Sequence, residues 1–123
     1  MHKYVAVMVG AALGGLFRYL VVTAVTARIL TRFPLGTFVA NVTGCFLIGI
    51  IATVLAERVP TPQMWSLFLV TGILGGYTTF SAFGWETVQL TRQGEHVLAV
   101  ANVVGSAAAG YLAVWLGVWL ARR

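Results

Sequence analysis

The sequence predicts an all-α integral membrane protein of four spanning helices, and three observations carry that expectation. Four predominantly apolar runs each reach the ~20 residues a helix needs to cross a hydrocarbon core of about 30 Å. Charge is scarce: 9% of the 123 residues are Asp, Glu, Lys or Arg and 59% are hydrophobic, whereas a soluble domain carries about 25% charged residues. The three prolines, Pro34, Pro60 and Pro62, all fall between the runs, where a missing backbone N–H does least harm. The chain therefore reads as one transmembrane domain over residues 1–123, with spans at about 4–25, 35–55, 64–90 and 97–121. Mean hydropathy is +0.91.

The charge balance narrows the function classes. Eight Lys and Arg against three Asp and Glu give +5, a surplus that in a soluble protein would suggest nucleic acid. Here the cations stand mostly at the ends of apolar runs, where they meet headgroups and set orientation, so no nucleic-acid partner is expected. The partner implied is the lipid bilayer. Cys45 is the single cysteine, which excludes an intrachain disulfide and gives no metal cluster. No nucleophile–base set is present, so an enzyme is not expected. The first run is long and lacks a small-residue cleavage site, so it is read as a span and not as a removed signal peptide.

The first span carries Ala6, Gly10 and Gly14 at spacing four, with Arg18 on the same stripe. Small residues so spaced let helices approach closely. Arg18 lies roughly 21 Å into the span at 1.5 Å per residue, nearer its far end than its middle. It is either an arginine that snorkels to the interface or a cation at the mouth of an anion pathway. The second span opens with Pro34-Leu-Gly-Thr37 and shows Thr37, Asn41, Cys45, Gly49 and Thr53 at the same spacing. An asparagine in lipid needs partners for its amide. Asn41 is either an interhelical hydrogen bond or a pore-facing donor.

The third span holds the most unusual stretch, Gly72-Ile-Leu-Gly-Gly-Tyr-Thr-Thr-Phe-Ser-Ala-Phe-Gly-Trp-Glu86. Gly72, Gly75 and Gly76 weaken a helix. Tyr77, Thr78, Thr79 and Ser81 bring hydroxyls that lipid does not tolerate without partners. Phe80 and Phe83 stand on one helical face, and Glu86 ends the stretch. Two readings fit: a broken membrane helix lining an ion site, or a glycine-rich helix packed closely on its neighbours. The fourth span has a small-residue stripe, Ala101, Gly105, Ala109, Ala113, Gly117 and Ala121, expected to form a tight helix–helix seam. Beside it run Asn102, Ser106 and Gly110, a line facing either water or another helix. Trp65, Trp115 and Trp119 are placed as interfacial anchors.

Four spans put both termini and the second link on one side. That side carries Lys3, Arg58, Arg122 and Arg123, and the other carries Arg28, Arg32 and Arg92, with Arg18 set aside as intramembrane. Four cations against three give the positive-inside rule almost nothing to act on. The chain is expected to insert both ways.

These residues resemble the Fluc (CrcB-like) family of microbial fluoride channels. The resemblance rests on Gly14-Gly-Leu-Phe-Arg-Tyr19, on Gly36-Thr-Phe-Val-Ala-Asn-Val-Thr-Gly44, and on Gly75-Gly-Tyr-Thr-Thr-Phe-Ser-Ala-Phe83 with Glu86. It covers all four spans in order, and the third motif is the specific one. Ala82 departs from it, because the family commonly has threonine there.

The resemblance implies an antiparallel, dual-topology homodimer of four-helix subunits in the bacterial cytoplasmic (inner) membrane. Two narrow pores would run along the subunit boundary, and the third helix would be broken near its middle. The activity implied is passive, selective efflux of the fluoride ion. By likeness the pore residues are Asn41, Thr79, Phe80, Ser81, Phe83 and Ser106, with Arg18 near the entrance. A structural sodium ion at the dimer centre would be held by backbone carbonyls of Gly75 and Thr78.

Ring edges carry positive charge, so Phe80 and Phe83 can contact an anion without binding it as tightly as a fixed lysine. The main rival is a small four-span multidrug antiporter. Such proteins use a carboxylate in the first span, where this chain has Arg18 and no acid. A non-transporting assembly subunit is a third reading, for which the sequence offers no positive feature.

Overall fold

The computed structural model describes residues 2–123, and every long element in it is helical. Helix α1 runs His2–Arg28, α2 Leu35–Arg58 and α6 His96–Ala121. Between α2 and α6 the chain forms α3 (Gln63–Trp65), a segment Ser66–Leu74 wound with π geometry, α4 (Gly75–Tyr77) and α5 (Phe80–Arg92). Taken as one span, Gln63–Arg92 joins the other three helices as long and apolar enough to cross a membrane. The helices outrun the apolar stretches by a few residues at their ends, because Lys3, Arg28, Glu57 and Arg58 continue the helical backbone after the oily part has stopped.

Two seams hold the subunit. Helix α1 packs along the π-wound segment and α4, and α2 packs along α6. In the first seam a Cβ on Gly14 would fall onto the Ile73 carbonyl oxygen. In the second, a Cβ on Gly49 would strike the Val114 carbonyl and one on Gly117 the Phe46 carbonyl. Backbones approach this closely only where side chains are missing, which is how transmembrane helices gain packing without a hydrophobic driving force.

The small-residue stripe expected on the fourth span needs correction. Its C-terminal end, Gly117 and Ala121, is buried, but Ala101 is exposed and a Cβ on Gly105 would meet nothing within 4 Å. The buried line is instead Ala99, Asn102, Gly110, Gly117 and Ala121. Residues four apart drift about 40° per step around a helix of 3.6 residues per turn. A stripe read at strict spacing four therefore leaves the seam within three steps.

The glycines of the third span are not where its backbone leaves helical geometry. Gly75 and Gly76 are helical, and the backbone opens at Thr78 (φ −87°, ψ 156°) and Thr79 (φ −149°, ψ 119°). Gly76 sits against Ala11 of α1, where any Cβ would collide with the backbone, so its lack of a side chain serves packing. The two threonines, β-branched and poor helix formers, take the extended conformation. Thr79 then caps α5, its hydroxyl accepting the Ala82 N–H at 3.2 Å, the usual role of threonine at a helix N-terminus.

Polar pairs close the two ends. Arg32 of the first link pairs with Glu95 of the third. At the opposite end Arg122 pairs with Glu57 at 2.9 Å, and Arg58 donates to the Ala121 carbonyl at 2.7 Å. The first and third links thus share one end, and the second link shares the other with the C-terminal residues.

Candidate functional site

The break opens onto a cleft of about 550 Å³. Asn41 and Cys45 of α2, Gly75 of α4, Thr78 and Thr79 of the break, Phe80 and Phe83 of α5, and Ser106 of α6 line it, with aliphatic residues between them. None of the lining residues carries a formal charge.

Asn41 fixes the break. Its Nδ2 donates to the Thr79 carbonyl at 3.0 Å, and its Oδ1 accepts the Thr79 N–H at 2.8 Å. In a continuous helix that N–H would bond the Gly75 carbonyl four residues back. Diverted to Asn41, it leaves the Gly75 carbonyl without its helical donor. The Thr78 carbonyl is in the same position: its helical donor, the Ala82 N–H, is taken by Thr79 Oγ1. Arg18 Nη1 donates to the Thr78 oxygen instead, at 3.2 Å. Asn41 is thus an interhelical hydrogen-bonding residue, the first of the two readings, and its side chain stands on the cleft wall.

Arg18 is placed differently from expectation. It reaches the break, near the middle of Gln63–Arg92, and does not extend to a span end. An unpaired carbonyl within the hydrocarbon region is a costly group that recruits a donor. Arg18 is not among the residues lining the cleft, and neither is Ser81, which is exposed with its hydroxyl 3.4 Å from that of Thr79. Asn41, Thr79, Phe80, Phe83 and Ser106 do come together there, with Gly75 and Thr78 beside them. The Phe80 and Phe83 ring centroids are 5.5 Å apart with their planes at 35°, and Phe80 is 85% exposed on the single subunit.

Three polar contacts are not apparent from the sequence. Thr37 donates to Glu86 Oε1 at 2.7 Å, while Glu86 Oε2 is buried with no hydrogen-bond partner among the described residues. The hydroxyls of Thr43 and Tyr77 lie 2.8 Å apart. Asn102 Nδ2 donates to Thr87 Oγ1 at 2.9 Å. Spacing held part of the signal. Thr37 and Asn41 are one turn apart on α2, and they meet Glu86 and Thr79, two turns apart on an antiparallel partner.

Fold and site together define a multi-pass membrane protein with an uncharged, aromatic and hydroxyl-lined cleft at an interrupted span. The chain belongs to the CrcB-like protein, Camphor Resistance (CrcB) family, whose profile matches residues 5–118. It is similar to proteins called fluoride-specific ion channel FluC. In Solibacter usitatus the identity is 52% over 121 residues, 98% of this chain and 99% of the relative. In Acidobacterium capsulatum it is 47%, over 98% and 97%. In Chloroflexus aurantiacus it is 40% over 122 residues, 99% and 97%.

Proposed function

We infer that this protein is a fluoride-selective channel giving passive efflux of fluoride across the bacterial cytoplasmic membrane; the relatives it matches are named fluoride-specific ion channels. The observation that carries the reading is the cleft itself. It joins two phenylalanine rings to hydroxyl and amide groups without a formal charge, on a face where Phe80 is left open. A second identical subunit in antiparallel orientation would cover that face and turn each cleft into a narrow pore. The antiporter alternative falls with the family.

The chemistry of the wall suits a small, strongly hydrated anion. Hydroxyls of Thr79 and Ser106 replace part of the hydration shell, and the ring edges of Phe80 and Phe83 add weak positive potential. Conduction needs sites strong enough to admit an ion and weak enough to release it. A wall of neutral donors satisfies both. Arg18, held at the Thr78 carbonyl, adds positive charge beside the cleft without entering it.

The Gly75 and Thr78 carbonyls fit a structural sodium ion. Both have lost their helical donors, and neutral oxygens suit a hard monovalent cation. No group of three or more His, Cys, Asp or Glu that could hold a metal exists among the described residues. When bound, sodium supplies fixed positive charge and satisfies carbonyls that lipid cannot.

The test is fluoride release from liposomes loaded with potassium fluoride, followed with a fluoride electrode after a potassium ionophore is added. Electrogenic fluoride flux, far exceeding chloride flux and indifferent to a proton gradient, is expected. Proton-coupled or absent flux would overturn the reading.

A further inference from the structure

Asn102 is 1% exposed and is the largest fully buried side chain among the described residues. It lies behind the cleft wall, and both ends of its amide are engaged. Nδ2 donates to Thr87 Oγ1 at 2.9 Å, and Oδ1 accepts the Ser106 hydroxyl at 3.2 Å. Thr87 in turn donates its hydroxyl to the Phe83 carbonyl at 2.8 Å.

The direction of this chain is forced from one end. A backbone carbonyl only accepts. The Thr87 proton is therefore committed to Phe83, and Thr87 offers Asn102 an acceptor. The amide must present Nδ2 to Thr87, which aims Oδ1 at Ser106. Ser106 then gives its proton to Asn102 and turns lone pairs toward the cleft, the wrong polarity for an anion.

We propose that Asn102 is a positioning residue that regulates Ser106 as an anion donor. Its Oδ1 holds the Ser106 proton when no anion is near and yields it when fluoride arrives. Ser106 must break one hydrogen bond to make another, so its hold on the anion is weakened and release is quick. This rests on the fluoride-channel reading and on Ser106 facing the ion path.

The experiment measures fluoride flux against fluoride concentration in liposomes. Asn102→Leu, similar in volume, removes the competing acceptor. The half-saturating concentration should fall roughly two- to tenfold, the range that one neutral hydrogen bond commands, and maximal flux should fall as well. Thr87→Val leaves Asn102 in place but frees its amide to turn, and should shift both quantities the same way. It carries the test if Asn102→Leu does not fold. Thr87→Ser keeps the hydroxyl and should behave as the parent. In a Ser106→Ala background neither variant should shift the half-saturating concentration further.

A merely structural Asn102 would lower maximal flux without tightening fluoride. That result, with Ser106→Ala itself altering flux, overturns the proposal and leaves the channel reading intact. Parental flux in Ser106→Ala removes Ser106 from the path, and the proposal with it. Loss of fluoride selectivity in the parent protein would instead overturn the channel reading.

Discussion

Asn41 and Thr79 exchange two hydrogen bonds, 2.8 and 3.0 Å, across α2 and the interrupted span. A side-chain amide here does what a neighbouring peptide does in a sheet: it takes one N–H and gives one to the carbonyl of the same residue. In lipid the alternative is two unpaired backbone groups. Each such group costs about 1–3 kcal/mol when its partner is removed. Asn41→Leu should therefore destabilise the subunit by roughly 2–6 kcal/mol. Unfolding in detergent, followed by tryptophan fluorescence, reads this. An unmoved midpoint for Asn41→Leu would show that Thr79 does not depend on the clamp.

The rings can be tested by shape against polarity. Phe80→Ile and Phe83→Ile keep most of the bulk and remove the positive ring edge. Each should lower fluoride flux in liposomes at least several-fold. Parental rates in both single variants would exclude the rings from the pathway.

Two glycines of α6 separate close approach from composition. Gly117→Ala drives a Cβ into the Phe46 carbonyl, whereas Gly105→Ala meets nothing within 4 Å in the subunit. The first should cost about 1–3 kcal/mol through overpacking. The second should leave subunit unfolding unchanged or improve it slightly, since alanine favours helix over glycine by about 1 kcal/mol. Equal losses in unfolding midpoint would mean that the α2–α6 seam is not set by backbone approach.

How much of this was legible depends on the kind of signal each feature leaves. Spans follow from length and hydropathy, which the bilayer enforces strongly, so four helices could be read directly. The glycines announced a disturbance in the third span but not its place. Gly76 is used for packing on Ala11, while opening falls to Thr78 and Thr79. Propensity alone cannot tell these uses apart. Arg18 was misplaced because depth along a helix says nothing of what lies beside it; the orphaned Thr78 carbonyl decides where the guanidinium goes. The Asn102–Thr87 contact joins residues on different helices at no recognisable spacing, and only the fold brings them together.

The cations at the two ends of the bundle set how the subunit inserts. Ion pairs tie Arg32 to Glu95 at one end and Arg122 to Glu57 at the other. Pairing neutralises one cation at each end, leaving the balance as even as the sequence count of four against three. A reporter fused to the C-terminus should be found on both membrane faces at native expression. Two lysines added to one link should drive the population one way. A reporter confined to one face in the parent chain would defeat the antiparallel pairing.

The break changes the partners of two backbone carbonyls. The Gly75 carbonyl loses its donor to Asn41, and the Thr78 carbonyl loses its donor to Thr79 and gains Arg18. One guanidinium contact satisfies one lone pair of the Thr78 carbonyl and does nothing for the Gly75 oxygen, which has lost its helical donor. An antiparallel partner would bring a second pair of such oxygens opposite the first, with no carboxylate contributed by the cleft walls. Four neutral oxygens around one point suit sodium better than a divalent ion, which is bound more firmly where anionic ligands offset its charge. Arg18 sharpens the choice, because a guanidinium on Thr78 disfavours a second positive charge of two more than of one. Sodium should therefore raise the unfolding midpoint of the purified protein in a saturable way, as any ligand bound only to the folded state does. Lithium should do so less, and a bulky organic cation not at all. Fluoride flux should decay when sodium is removed by prolonged exchange, although sodium itself does not cross. An unfolding midpoint indifferent to sodium, together with undiminished flux in its absence, would mean that the carbonyls of Gly75 and Thr78 do without a metal ion.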